Sequence, residues 1–272
     1  MNFRNQAKEA LFKAKLEIES GDDSRLKYAA LELRMALECL IYDTSKAYRD
    51  ELSETDFNKW QPKKLLEVMI EIDPSVEKSS EWRIGAQQSK GSLPSTMTSL
   101  GKDRRLSLKE IKKFYDRFGS YLHTPTIKQL EEEKSFKYLK LAVSCKDLIG
   151  VLDEVLSSGV YNTRMKSTSK IKCEKCNSTI VKNVPFGQIE LVANCRNCGA
   201  SYTVTSDGDG KVLWKPQVTD FKCGGEGCTN IARLFDVEIK EGTCWDCKIC
   251  QGRNVICLGA VYEKPDKKLT RL

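Results

Sequence analysis

The sequence predicts an α+β protein: an antiparallel helical bundle over residues 1–160, a linker over 161–170, and two small β modules over 171–216 and 217–272. Three observations carry that expectation. Apolar residues recur at helical spacing through the first 158 positions. Beyond residue 170 the pattern changes to alternation with a period of two. Ten of the twelve cysteines lie between Cys173 and Cys257, most of them in closely spaced pairs.

Ala7, Leu11, Ala14 and Ile18 share one helix face, and Gly21 is a natural stop. Asp22, Asp23 and Ser24 offer caps for a second helix carrying Leu26, Ala29, Leu33, Ala36, Leu37, Leu40 and Ile41. Pro62 opens a short third helix, with Leu65, Leu66, Met69 and Ile70, and Pro74 marks its exit. Ser75 to Lys102 is polar and rich in turn residues, and reads as a long loop. Ser107 and Glu110 form a capping box for a helix that buries Ile111, Phe114, Tyr115, Phe118 and Leu122. A last helix is expected from Ile127 to Leu156, with Leu139, Ala142, Leu148, Ile149, Leu152 and Val155 inward.

In the β part, Ser178–Val184 and Gln188–Asn194 alternate around a Pro185-Phe186-Gly187 turn, and Ser201–Thr205 and Lys211–Lys215 flank a second turn. Ile231–Ile239 and Asn254–Glu263 read as further strands.

No run of about 18 apolar residues exists, so no membrane span is expected, and the Lys- and Glu-studded start has no signal-peptide character. A reducing, cytoplasmic setting follows as the expectation, with the paired cysteines as metal ligands rather than disulfides. The formal charge of +7 invites a nucleic-acid partner. Residues 166–272 hold 17 basic and 12 acidic side chains, and residues 1–165 hold 28 and 26. Four thiolates around each of two divalent ions leave the C-terminal part at about +1 and the chain at about +3, a mild basic balance.

Cys173 and Cys176, then Cys195 and Cys198 after eighteen intervening residues, form two pairs with two residues between partners. Such a pair makes a tight turn whose amides point at the sulfurs, and two turns facing each other give the tetrahedral set that zinc accepts. The arrangement repeats: Cys223 and Cys228, eighteen residues, then Cys247 and Cys250. The equal interval indicates an internal duplication. It favours Cys247 and Cys250 as the closing pair over Cys244 and Cys247, which the triple of cysteines leaves open. Iron held in the rubredoxin manner uses the same spacing. Cys39, Cys145 and Cys257 stand singly in apolar segments and read as small buried residues. Four thiolates and no histidine make closed, structural sites rather than catalytic ones.

The segments Cys173–Cys198 and Cys223–Cys250 resemble zinc ribbons, modules that bind nucleic acid or protein. Two structural Zn2+ ions are what that resemblance implies. Phe186, Trp214 and Trp245 are candidates for stacking on bases, and Lys182, Arg196, Lys215, Lys248 and Arg253 for holding phosphates. The same aromatics also suit the thin core of a small ribbon.

The single histidine lies in Asp116-Arg117-Phe118-Gly119-Ser120-Tyr121-Leu122-His123. This resembles the Arg, four to six residues, His motif of the HEPN helical nucleases. The resemblance implies a bundle that forms a homodimer and cleaves RNA without metal, as in defence-type effectors. His123 would then handle the proton and Arg117 the phosphate charge. Otherwise His123 packs near a helix end and Arg117 is a solvated face residue. Two functions follow as expectations: an intracellular zinc protein that binds RNA or DNA with a HEPN-like helical domain, or a non-enzymatic adaptor whose bundle and ribbons bind partner proteins.

Overall fold

The computed structural model describes residues 2–57, 61–86, 88, 94–124, 127, 138–207, 210–257 and 259. They form two compact units, Met1–Thr168 and Ser169–Leu272: helices at the N-terminus, then small antiparallel sheets.

In the first unit α1 spans Phe3–Glu19, α2 Leu26–Ser45, α3 Glu54–Phe57, α4 Pro62–Ile72, α5 Leu108–Leu122 and α6 Tyr138–Ser157. The central element is α2, which packs against α1, α4, α5 and α6. Its alanines explain that position: Ala29, Ala30 and Ala36 are fully buried and let neighbouring helices approach closely, while Leu33 and Leu37 fill the space between. The ends follow their sequence signals. Asn2 accepts from the Asn5 amide at 3.1 Å, Gly21 takes φ +69° at the end of α1, and Ser107 and Glu110 close the expected capping box.

Two expectations for the helical part change. Ser75–Lys102 is not all loop: β1 (Ser80–Ile84) and β2 (Thr98–Asp103) pair antiparallel, with a bulge where Leu100 lies between two paired residues. Gly101 has φ +125°, and a Cβ there would sit 3.3 Å from Val160, so the base of the ribbon rests on the chain after α6. Alternation was invisible here because seven of the eleven strand residues are exposed and only one, the polar Asp103, is buried. On α6 the inner stripe is Leu141, Cys145, Leu148, Leu152 and Val155. Leu139 is 79% exposed, off that stripe by two residues. Tyr115 and Leu122 on α5 are only half-buried. The start expected for α6 lies mostly outside the described residues.

Residues 161–166, patternless in sequence, are fixed to the helices by a buried polar network. Arg4 lies over the Tyr161 ring at 3.9 Å. Asn162 donates to Asp43 at 2.8 Å, and Arg164 donates to the Ala47 carbonyl at 2.8 Å and Glu51 at 3.2 Å. Asp103, 2% exposed, accepts from Arg105 at 2.7 and 2.9 Å and from the Thr163 amide at 3.2 Å. Tyr48, almost fully buried, donates to Asp73 at 3.0 Å. Burial raises the Tyr48 phenol far above its ordinary value, helped by the nearby Asp73 charge.

In the second unit β3 (Thr168–Lys172) pairs with β4 (Thr179–Asn183), and β5 (Gln188–Asn194), β6 (Ser201–Asp207) and β7 (Val212–Pro216) form a three-stranded sheet. The turn at Pro185-Phe186-Gly187 therefore passes between sheets, and β4 ladders with β3 instead of β5. Gln217 alone separates β7 from β8 (Val218–Lys222), which pairs with β9 (Ile231–Phe235). The strand expected to reach Ile239 stops at Phe235, where a 3-10 turn over Asp236–Glu238 begins. A last small ribbon joins β10 (Cys244–Asp246) to β11 (Arg253–Val255). Residues 258 and 260–263 of the expected final strand lie outside the described residues.

The apolar core of this unit holds Ile180, Val184, Ala193, Ala200, Tyr202 and Val204, together with Phe235. Phe235 comes from the second module yet its ring lies 5.7 Å from that of Tyr202 in the first. Lys175 and Glu238 pair at 2.8 Å across the same join. Both modules lie in the one compact unit Ser169–Leu272.

Removing the hub of the polar network leaves the Arg105 guanidinium buried without its partner. Asp103→Ala is expected to destabilise the helical unit by about 3–5 kcal/mol, measured as a fall in the urea midpoint of the full chain, against less than about 0.5 kcal/mol for an exposed control such as Glu9→Ala.

Candidate metal centres

Three of the four cysteine pairs or half-pairs fold by one local rule. Cys173, Cys195 and Cys247 each accept at their carbonyl from the residue four positions on: Asn177 at 2.8 Å, Gly199 at 2.8 Å and Gln251 at 3.0 Å. Their amides donate five residues on, to the carbonyls of Ser178, Ala200 and Gly252, at 2.9, 2.8 and 2.8 Å. Closing the turn needs a left-handed residue after the second cysteine, and Asn177, Gly199 and Gln251 have φ of 58°, 76° and 58°. The turn aims amides at the leading sulfur, as at Cys247, which receives the Ile249 and Cys250 amides at 3.4 and 3.5 Å.

The fourth turn, Cys223 to Cys228, has four residues between its cysteines and is glycine-rich. The Gly225 amide points at the Cys223 sulfur at 3.4 Å. A Cβ at Gly225 would sit 3.1 Å from the Cys250 sulfur, so a side chain there would press on a ligand position.

These turns bring the sulfurs into two clusters, Cys173/Cys176/Cys195/Cys198 and Cys223/Cys228/Cys247/Cys250, in each of which all four lie within 4.8 Å of one another. The nearest approaches are 3.4 Å between Cys176 and Cys195 and 3.6 Å between Cys173 and Cys198 in the first. In the second both Cys223–Cys250 and Cys228–Cys247 are 3.6 Å. A tetrahedral site with metal–sulfur bonds near 2.3 Å needs sulfurs about 3.8 Å apart. A disulfide needs about 2.05 Å, and all twelve cysteines are free thiols. Each cluster can therefore hold a metal ion, as in tandem zinc ribbons.

The charge on the sulfurs is uneven before metal arrives. Hydrogen bonds from the Ser178 and Asn197 side chains pull Cys176 down to about 5. The Cys250 and Ile249 amides, against the effect of burial, pull Cys247 down to about 6. Cys198 is pushed up to about 12 by burial and by its sulfur neighbours Cys176 and Cys173. Cys250 is pushed up to about 11 by Cys247 and Cys223, although the Gly252 amide pulls the other way. Four thiolates this close repel one another, and the divalent ion is what makes the full set stable.

Two supporting side chains were not singled out in the sequence. Tyr202, fully buried, points its hydroxyl at the Cys173 sulfur at 3.6 Å while accepting from the Glu174 amide at 2.8 Å. Asn254 accepts from the Gly224 amide at 2.9 Å and donates to the Cys223 sulfur at 3.6 Å. The signal for Tyr202 was its place on the inward beat of an alternating strand beside Ala200 and Val204.

The remaining candidates separate. Cys244 belongs to neither cluster; it is exposed and accepts from Arg253 Nη2 at 3.0 Å. Cys145 is buried, and burial pushes its thiol up to about 12. Cys257, expected inside, is exposed, because the neighbouring Ile256 takes the inward position. Trp214 packs edge-on to Tyr202 at 6.2 Å and donates to Ser169 at 2.9 Å. Trp245 packs on Phe221 at 5.8 Å. Trp214 packs against the apolar core, and Trp245 is half-buried against Phe221 outside it. Phe186 stays 74% exposed, and Arg196, Lys215, Lys248 and Arg253 are exposed, whereas Lys182 is buried. Arg117 donates to Ser144 of α6 at 3.1 Å. His123 is the C-cap of α5, one residue past its end at Leu122 and extended in backbone; positions six apart on a helix point about 120° away from each other.

Two outcomes follow. The raised thiols Cys198 and Cys250 carry protons at neutral pH until metal displaces them, so metal uptake at pH 7 is expected to release protons into weak buffer. Apparent affinity should rise with pH through the neutral range and collapse below about pH 5, where Cys176 and Cys247 also protonate; a chelator competition run as a pH series measures this. Gly225→Ala is expected to cut metal content from two ions to one per chain after mild chelation, read by elemental analysis, with the first cluster unaffected.

Among the described residues no helix is long and apolar enough to cross a membrane. Comparison of the chain with protein-family models, with curated proteins and with solved structures finds no match to any of the three.

Proposed function

We propose that this chain is a zinc protein that binds single-stranded nucleic acid through its second unit. Two closed four-thiolate zinc sites act there as structural pins, and the observation that carries the reading is Phe186. Of the three candidate aromatics it alone is left open, 74% exposed at the turn between β4 and β5. The sheet that follows turns one face to its core. The other face carries Val192, Thr203 and Lys215 in one row and Glu190, Thr205 and Leu213 in the next. A stacking ring beside a mildly polar face, whose Lys215 and Glu190 cancel in charge, suits bases that are already unpaired. With zinc bound, residues 166–272 carry only about +1, so contact with duplex phosphates would be weak.

Short single-stranded RNA and DNA oligonucleotides should bind the zinc-loaded protein at low salt, measured by fluorescence anisotropy, with a shallow salt dependence. Phe186→Ala should weaken binding by about 1–3 kcal/mol. Absence of binding at low salt would remove this reading.

A second reading, a protein adaptor, is favoured by one patch. Phe12 and Leu16 on α1 and Tyr28, Leu31 and Met35 on α2 are exposed, and the two helices pack side by side. Apolar clusters of this kind are common at protein contacts. RNA cleavage without added metal, abolished in His123→Ala, would instead make the helical unit a nuclease.

A further inference from the structure

Three side chains on the outer face of the last ribbon are used by neither metal cluster. In the β10–β11 ladder Cys244 stands opposite Val255, and Asp246 opposite Arg253. Strand side chains alternate. Asn254 turns inward to the Cys223 sulfur, while Arg253 and Val255 stay on the solvent side. The pairing runs past the ladder, with the Ile256 amide donating to the Thr243 carbonyl at 2.8 Å and the Gly242 amide to the Ile256 carbonyl at 2.9 Å. Ile256 is buried, so Cys257 returns to the solvent side. Cys244 and Cys257 are therefore diagonal neighbours on one exposed face.

We propose that Cys244 and Cys257 form a peroxide-responsive thiol pair, with Cys244 as the sulfur that reacts first and Cys257 as the one that resolves it. Arg253 holds its Nη2 3.0 Å from the Cys244 sulfur, so a cation stands beside the reacting sulfur and beside the peroxide oxygen that gathers negative charge as it departs. Burial shields Cys145, and bound zinc occupies the eight clustered sulfurs. The chemistry balances with hydrogen peroxide as the oxidant. The Cys244 sulfur attacks one peroxide oxygen, the O–O bond breaks, and the departing oxygen leaves as water, giving a sulfenic acid. The Cys257 sulfur then attacks the Cys244 sulfur, the S–O bond breaks, and the hydroxyl leaves as a second water with the Cys257 proton. Two thiols lose two electrons and one peroxide gains them. Diagonal strand neighbours have Cα atoms about 7–8 Å apart, and a disulfide closes at up to about 6.8 Å. The shift needed falls on Cys257, beyond the last ladder pair.

The test treats the full-length, zinc-loaded chain with a small excess of hydrogen peroxide, alkylates the remaining thiols and maps disulfide-linked peptides by mass spectrometry, with zinc release followed by a chromogenic chelator. The expected result is a Cys244–Cys257 link formed before zinc is released. It should be absent in Cys244→Ser and in Cys257→Ser, each of which keeps two zinc ions per chain. Cys244→Ser should also lose the sulfenic acid trapped by a dimedone probe, whereas Cys257→Ser should accumulate it, which separates the two roles. Arg253→Gln should slow formation of the link about threefold or more. Zinc ligands oxidised as fast as Cys244, a link that joins other cysteines, or an unchanged rate in Arg253→Gln would overturn the proposal.

Discussion

Mutual repulsion among sulfurs governs the second unit. Approaches of 3.4 and 3.6 Å in the first cluster and of 3.6 Å in the second leave no room for four negative charges without a cation among them. The backbone turns partly prepare the charge, drawing Cys176 and Cys247 toward the thiolate form and leaving Cys198 and Cys250 as thiols. The core around Tyr202 is modest, and a structural zinc supplies about 10–16 kcal/mol in small peptides. On the proposed reading, in which both clusters hold zinc, folding and metal binding would be one process.

The helical unit is held differently. Its centre is an ordinary apolar core around α2, but its periphery is closed by ions. Asp103, Arg105, Glu51 and Arg164 are all nearly out of water and paired, and Arg164 also lies over the Tyr48 ring at 4.0 Å. Such pairs contribute little net stability over apolar replacements, yet they are costly to half-remove. Their effect is positional: they pin residues 161–166 against α2 and β2.

How far the sequence could be read follows from range. Helices with a full apolar stripe and explicit caps were legible, because periodicity and capping are local; the Ser107–Glu110 box is the plainest case. The metal ligands were legible because the spacing of Cys173, Cys176, Cys195 and Cys198 encodes a turn geometry directly, and the shared interval singled out Cys247 and Cys250 over Cys244. What stayed hidden depended on distant partners. β1 and β2 expose both faces and show no alternation. The segment from Tyr161 to Lys166 looks like a linker until Asp43, Glu51 and Asp103 are seen to receive it. Trp214 and Trp245 could not be assigned to core or surface, since that depends on Tyr202 and Phe221 across the sheet. Arg117 and His123 are paired only by a resemblance along the chain; Arg117 donates to Ser144, and a composite site built from two copies would depend on a partner that one sequence does not encode locally.

The equal cysteine intervals suggest two copies of an ancestral repeat laid end to end, and copies of that kind are often freely shuffled. Phe235 removes that freedom. By lending its ring to the hydrophobic interior of the preceding copy, with only Gln217 between β7 and β8, it makes the second copy a lid on the first. Evolution can vary the loops of this pair or its outer face, but deleting or reordering the second half opens the first to solvent.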